Sequence, residues 1–212
     1  MLHCSMHTVI FYRHSFGRTL LPVTDSTMCI RCGITKRPQS LFFFMVPESA
    51  FNGNYKETPF HHTHHYLKSY RARFRDECYP SSPATVNFGP QKPKVLEMYR
   101  EYLKCTGWVK GFIWHFPSIS FVILQLNQAS NGMTLTRFEL ENCIGAIALS
   151  PEEMVSNSQP FTSKETGELL LELDFYLPNP PVPARNNLLI YVFGILPSTV
   201  KIDKNREVTI EN

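Results

Sequence analysis

From Glu168 to Tyr176, apolar side chains occupy every second position, and this pattern constrains the fold more than any other part of the chain. The apolar positions are Leu169, Leu171, Leu173 and Phe175. Glu172 and Asp174 stand between them. Because successive side chains of a strand point to opposite faces, the segment predicts a β-strand that buries one face and exposes the other to solvent.

Short apolar runs separated by turn residues predict further strands. They are Ser40–Val46, Tyr66–Phe74, Ile119–Leu126, Thr134–Leu140, Ile144–Leu149, Asn187–Phe193, Thr199–Ile202 and Glu207–Ile210. Pro93–Cys105 instead has apolar residues at helical spacing, with Gly107 just beyond its end. The content of 16 Phe, nine Tyr and two Trp also favours β-structure. The sequence therefore predicts an all-β fold, a sandwich or jelly roll of about eight antiparallel strands with one inserted amphipathic helix.

The first part of the chain is harder to interpret. Residues 1–38 contain one short apolar alternation, from Val9 to Tyr12, and no sustained period. We interpret them as a poorly determined flank, and residues 39–212 as a single jelly-roll domain. A domain of this length buries about 70% of the surface that its unfolded chain exposes, so a substantial core is expected.

The six cysteines have no regular spacing, and no secretory signal peptide precedes them. This usage is typical of reduced thiols in an intracellular protein. The most apolar stretch, Phe112–Leu126, has only 15 residues and contains His115 and Pro117. A bilayer-spanning helix needs about 20 predominantly apolar residues, so we expect no membrane segment.

Two groups of side chains are candidate metal sites. His61, His62, His64 and His65 form a cluster, and Cys29 and Cys32 form a Cys-x-x-Cys pair. Imidazole and thiolate are common ligands of transition metals. Neither group has further ligands at a suitable spacing, so an exposed polar loop and a pair of structural thiols are the favoured interpretations. We expect no metal and no cofactor.

Motifs of known catalytic machinery are absent from the sequence. It has no Gly-x-Ser-x-Gly, no phosphate-binding Walker loop, no Gly-x-Gly-x-x-Gly and no His-Glu-x-x-His. Paired acids such as Glu152 and Glu153 stand beside turns, where they are typical of solubilising charge. The prediction is therefore a protein without enzymatic activity and without catalytic residues.

Charge is distributed unevenly along the chain. Residues 1–132 carry 15 Lys and Arg against seven Asp and Glu, whereas residues 133–212 carry six against 11. Arg71, Arg73 and Arg75 alternate along one predicted strand and form a candidate polyanion-binding face. This leaves an alternative function open, a cytosolic β-sandwich module that binds nucleic acid or another polyanion. A metal-dependent function through the histidine cluster is the third interpretation.

Five motifs, in order along the chain, resemble those of one protein family. Leu41–Tyr55, followed by Pro59 and Phe60, resembles an apolar strand with a Val-x-x-x-Ala-Phe-Asn-Gly core. Tyr79-Pro80-Ser81 and the helix ending in Thr106-Gly107 resemble a Pro-Ser loop and a tyrosine-rich helix. The last motifs are Gly132–Leu140, Gly167–Phe175 and Lys201–Val208, which are similar to later strands of the same family.

The family is the major capsid protein of Maverick/Polinton-type elements and related DNA viruses, and the resemblance covers roughly residues 33–210. It implies a double jelly roll that assembles as pseudo-hexagonal trimers. The chain has the length of one jelly roll, and its motifs match the C-terminal one. A decayed or host-co-opted copy of an integrated element would account for this.

The resemblance also implies structural roles for motif positions, and a structural rather than catalytic function. These positions are Ala50, Phe51, Asn52, Gly53, Tyr55, Pro59, Phe60, Gly107, Phe138, Leu140, Leu169, Leu171, Leu173, Phe175, Ile202 and Asp203. The implied partners are further copies of the chain or other capsid subunits, with no membrane and no specific nucleic acid. The implied location is the virion, or the cytoplasm or nucleus for a co-opted protein.

Overall fold

The computed structural model describes residues 5–19, 27–86, 93–106, 133–149, 166–176, 188–202 and 208–211. These residues form nine strands and three helices. The strands are β1 (Ser5–Thr19), β2 (Thr27–Arg31), β3 (Ser40–Pro47), β4 (Leu67–Phe74), β5 (Glu77–Thr85), β6 (Gly145–Ala148), β7 (Leu169–Phe175), β8 (Leu188–Ile202) and β9 (Val208–Glu211). The helices are α1 (Glu48–Phe51), α2 (Pro93–Cys105) and α3 (Leu135–Leu140).

The strands form two antiparallel sheets. The first sheet has the order β1-β8-β3-β6, with β9 added to the end of β8, and the second has the order β2-β7-β4-β5. Strand pairs therefore join the first strand to the eighth, the second to the seventh, the third to the sixth and the fourth to the fifth. This nested pairing across two sheets is the arrangement of a jelly roll, and it confirms the predicted fold class.

The core lies between the two sheets. Along β7, Leu169, Leu171 and Leu173 are fully buried, and the residues between them are half-buried. The ring of Phe43 on β3 meets the ring of Tyr70 on β4 edge to face, with centroids 5.3 Å apart. The inward face predicted from the alternation in this strand is therefore confirmed, and burial of these side chains is the main stabilising contribution of the core.

Helix α2 has the predicted bounds, Pro93–Cys105. Its apolar face is buried at Val95, Met98, Tyr99 and Leu103. It packs mainly against β6, the short edge strand of the first sheet. The amphipathic pattern of the sequence therefore identified both the helix and the face that it buries.

The prediction of a strand over Thr134–Leu140 is wrong, because this segment is mostly helical. Residues 135–140 form α3, and the side chain of Thr134 caps it by accepting a hydrogen bond of 3.2 Å from the backbone N–H of Arg137. Phe138 is fully buried against Tyr99 and Tyr102 of α2. A capping threonine and contact with α2 thus outweigh the strand pattern of a short segment.

Other strands differ from the prediction in their limits. The sequence predicts no element before Ser40, but β1 and β2 pair with β8 and β7, so the expected boundary after residue 38 falls inside the strand arrangement. The predicted strands Asn187–Phe193 and Thr199–Ile202 are one continuous strand, β8. The predicted strand Ile119–Leu126 lies outside the described residues.

Helices within the described ranges are all too short, or not apolar enough, to cross a bilayer. The apolar stretch Phe112–Leu126 lies outside those ranges.

Candidate functional site

The connection between β3 and β4, residues 48–66, shapes one end of the sandwich. It begins with α1, in which Ala50 is buried against Tyr191 and anchors the turn. Asn52 and Gly53 then reverse the chain, and Gly53 has a φ of 93°, a left-handed value that suits glycine. Asn52 has a φ of −76°, so of these two residues only Gly53 has the left-handed backbone of the turn.

Large apolar side chains are exposed along this connection. Phe51 is 52% exposed, Tyr55 91%, Phe60 81% and Tyr66 51%. An exposed single aromatic residue is common on protein surfaces, but four in one connection form an unusual concentration.

Two further exposed side chains lie beside the same connection. Leu140, at the end of α3, is 58% exposed, and its carbonyl oxygen lies 2.9 Å from Nε2 of His61. Tyr176, just after β7, is 49% exposed, and its backbone N–H donates a 2.8 Å hydrogen bond to the carbonyl of Tyr66. We use the name aromatic end for Phe51, Tyr55, Phe60, Tyr66, Leu140 and Tyr176.

The sequence predicted only part of the aromatic end. The sequence predicts a strand that starts at Tyr66, but β4 starts at Leu67, and Leu67 is fully buried. His65 and Tyr66 both have positive φ, of 44° and 61°, so the chain turns there before the strand begins. Tyr176 has no sequence signal of exposure, because its position depends on how far the pairing of β7 with β4 extends.

The histidine cluster makes local contacts rather than a convergent site. The ring of His62 packs on the ring of Phe44 with centroids 4.2 Å apart. Nδ1 of His64 accepts a 3.0 Å hydrogen bond from the N–H of Tyr66, and Nε2 of His65 lies 2.9 Å from Oγ1 of Thr63. Burial lowers the pKa of both His62 and His64, because it penalises the charged imidazolium.

The backbone of His62 joins the connection to the segment after α3. Its N–H donates to the carbonyl of Glu141 at 2.9 Å, and its carbonyl accepts from the N–H of Cys143 at 2.8 Å. These two backbone hydrogen bonds hold residues 61–65 next to the residues that lead into β6.

Within the ranges that the structure describes, no three His, Cys, Asp or Glu side chains come together in a way that would hold a metal ion. Cys29 is exposed and Cys32 is fully buried, so the two thiols face opposite sides of the sheet. Burial raises the pKa of the Cys32 thiol to about 12, which keeps it protonated and poorly reactive.

Two of the three arginines of the candidate polyanion-binding face donate hydrogen bonds within the fold, and Nε of the third, Arg73, forms only a longer ion-pair contact. Nε of Arg71 donates a 2.9 Å hydrogen bond to Oε2 of Glu172, and Nε of Arg73 lies 3.6 Å from Oε1 of the same carboxylate. Nε of Arg75 donates a 2.7 Å hydrogen bond to the carbonyl of Thr166. Arg75 also lies in the turn after β4, where its φ is 54°. The arginines therefore do not form one uniform strand face.

The remaining motif positions differ in burial and in place. Phe138, Leu169, Leu171, Leu173 and Phe175 are buried, whereas Asn52 and Gly53 are exposed and Pro59 is half-exposed. Ile202 lies at the end of β8. Gly107 and Asp203 lie outside the described residues.

The fold and its surface define an antiparallel jelly-roll sandwich with apolar side chains exposed at one end. No family model and no curated protein matches the sequence. Among solved structures, the chain is similar to one from the Sputnik virophage, with 12% identity and a TM-score of 0.43. It is also similar to the mavirus major capsid protein, with 10% identity and a TM-score of 0.41. The matches cover 99% of this chain, which spans 38% and 40% of those proteins.

Proposed function

We propose that this chain is a capsid-like structural protein without enzymatic activity. In this proposal it corresponds to the C-terminal jelly roll of a double jelly-roll major capsid protein of the Maverick/Polinton type. It would act within a virion, or in the cytoplasm or nucleus if the host has co-opted it.

The observation that carries the proposal is the nested strand order of the two sheets, combined with the family motifs at their turning points. The Ala-Phe-Asn-Gly motif provides one such point, since Ala50 is buried beside β3 and Gly53 has the left-handed backbone of the turn. Phe138 provides another, because it closes the contact between α2 and α3. The resembling residues thus lie where this fold needs them.

The aromatic end supplies the surface for assembly. Protein interfaces are enriched in aromatic side chains at their centre and are polar at their rim. Tyr55 and Phe60 are the most exposed of these side chains, and Lys56 and Glu57 lie between them in sequence. We propose that this surface contacts further copies of the chain or other capsid subunits.

The ion pairs on β4 disfavour the alternative of a polyanion-binding module. Two of its three arginines share the carboxylate of Glu172, and a phosphate would have to displace that acceptor.

Sedimentation velocity of the purified chain, over a hundredfold range of concentration at moderate salt, tests the proposal. We expect the mass to rise with concentration, and the variant Tyr55→Ser/Phe60→Ser to remain smaller at each concentration. Asp76→Asn, in the tight turn between β4 and β5, is the matched control and should behave as the original chain.

A chain that stays monomeric at every concentration, and also fails to bind a co-expressed N-terminal jelly roll, would contradict the proposal. Tight DNA binding by such a monomer, with an affinity that falls steeply as salt increases, would support the polyanion-binding module instead.

A further inference from the structure

A cavity of about 320 Å³ lies where helix α2 crosses the open edge of the sandwich. This edge is formed by β5 and β6, the last strands of the two sheets. Residues from both strands and from α2 line the cavity, among them Tyr70, Ala84, Glu97, Glu101, Ala146 and Ala148. Its volume is at the lower end of the range for small-molecule sites, roughly 300–1,000 Å³.

Tyr70 brings an unpartnered hydroxyl to this cavity. The side chain is only 4% exposed, and its ring is fixed by the edge-to-face contact with Phe43. Within the described part of the chain, its hydroxyl has no hydrogen-bond partner, although it lines the cavity. Burial raises the pKa of Tyr70, and nearby carboxylates raise it further, so the phenol is neutral at physiological pH. Its oxygen is accessible from the cavity, where a ligand would form a hydrogen bond with it.

The wall formed by α2 adds negative charge. Glu97 and Glu101 are one helical turn apart and both line the cavity. Glu101 has a partner, because Nζ of Lys104 lies 3.7 Å from its Oε2. Glu97 has no ion pair with any other residue that the structure describes. The carboxylate of Glu97 therefore remains available to a ligand, and it favours a ligand with one positive charge.

The opposite wall is apolar and has small side chains. Ala84 lies on β5, and Ala146 and Ala148 lie on β6. Small side chains at these positions leave room for an aliphatic chain, which would gain free energy by leaving water.

We propose that this cavity binds a primary ammonium group carried on a short aliphatic chain. The ammonium group has three N–H donors and no acceptor, which suits the oxygen of Tyr70 together with the carboxylate of Glu97. The aliphatic stem would lie on the alanine wall. The same chemistry is found in a free diamine and in a lysine side chain of another polypeptide. This inference is independent of the capsid-like role.

Isothermal titration calorimetry of the full chain tests the proposal with three four-carbon probes. We expect n-butylammonium to bind at least tenfold more tightly than 1-butanol and butyrate, which have the same stem with a neutral or a negative end. Equal affinity for the three probes, or no binding of n-butylammonium, would overturn the proposal.

Two conservative variants identify the groups that bind the probe. Tyr70→Phe and Glu97→Gln are each expected to weaken n-butylammonium binding about tenfold, because a hydrogen bond to a charged group contributes at least that much. Tyr70→Phe removes only a hydroxyl without a partner, so its melting temperature should not fall. Glu141→Gln, at an exposed glutamate outside the cavity, is the matched control for Glu97→Gln and should bind normally. Unchanged binding by both cavity variants would overturn the assignment even if the probe binds elsewhere.

A second pair of probes distinguishes the two sources of the ammonium group. 1,5-Diaminopentane represents a free diamine, and Nα-acetyl-lysine N-methylamide represents a lysine side chain within a polypeptide. Tighter binding of the capped lysine identifies a lysine of another chain as the occupant. Tighter binding of the diamine identifies a free diamine. If neither probe binds although n-butylammonium does, the proposal that a diamine or a lysine side chain occupies the cavity is refuted.

Discussion

Gly145 provides a sensitive test of the pairing between β3 and β6. It lies opposite Phe43 in the register of these strands. A Cβ atom at this position would lie 2.1 Å from Cε1 and Cζ of the Phe43 ring. That ring is fully buried and is held against Tyr70, so it has little space to move away. We therefore predict that Gly145→Ala destabilises the fold through a steric clash with one identified side chain.

The expected magnitude follows from the cost of overpacking. Adding atoms to a filled core typically costs about 1–3 kcal/mol, so Gly145→Ala should lower the free energy of unfolding by about 2 kcal/mol. Phe43→Leu alone should cost about 1–2 kcal/mol, because it leaves a small cavity. In the double variant the shorter leucine makes room for the new methyl group. The double variant should therefore lose less free energy of unfolding than the two single variants together, by about 1 kcal/mol or more.

Urea unfolding of the original chain, the two single variants and the double variant, followed by circular dichroism, measures these free energies. Gly53→Ala is the control, because no atom lies within 4 Å of its added Cβ and its cost arises from a φ of 93°. Phe43→Leu should not rescue Gly53→Ala. If the double variant loses as much free energy of unfolding as the two single variants together, the two residues are not in contact. That result would refute the β3–β6 register described above.

Three further predictions concern the core, the ion pairs and the histidines. Leu171→Asp should lower the free energy of unfolding by more than about 3 kcal/mol in urea unfolding, since it buries an unpaired charge. Glu172→Lys should cost about 1–2 kcal/mol in the same assay, because it removes the acceptor of Arg71 and adds a third cation beside it, whereas an unaffected stability would contradict the ion pair. His62 and His64 have folded-state pKa values below their ordinary 6.5, so the unfolded chain takes up protons first as the pH falls. Stability should therefore decrease as the pH falls below about 6.5, and a pH series of thermal melts should show a flatter profile for His62→Gln/His64→Gln.

Local patterns in the sequence predicted the elements whose signal lies within one segment. The leucine alternation of β7 and the helical spacing of α2 are examples, because burial on one face determines the period of apolar residues in each. These elements were sufficient for the fold class.

Elements that depend on distant partners could not be predicted in the same way. Residues 5–19 have no sustained apolar period, and they form a strand because β8 offers a long edge for backbone pairing. The strand prediction for Thr134–Leu140 failed because Phe138 packs on α2, which lies more than 30 residues earlier. The candidate site was predicted least well, since the exposure of Tyr66 and Tyr176 depends on where the β4–β7 pair ends.

The arginines of β4 show why a charge pattern within one strand is a weak guide to function. Arg71 and Arg73 alternate as a basic face would, but the neighbouring strand places Glu172 opposite Arg71 in the register. On the same sheet, Ser69 donates a 2.8 Å hydrogen bond to Asp174. A cross-strand carboxylate thus neutralises charge that the sequence of β4 alone leaves unpaired. Loss of this carboxylate in Glu172→Gln would free both guanidinium groups, so any increase in DNA binding by that variant measures how strongly the native ion pairs suppress it.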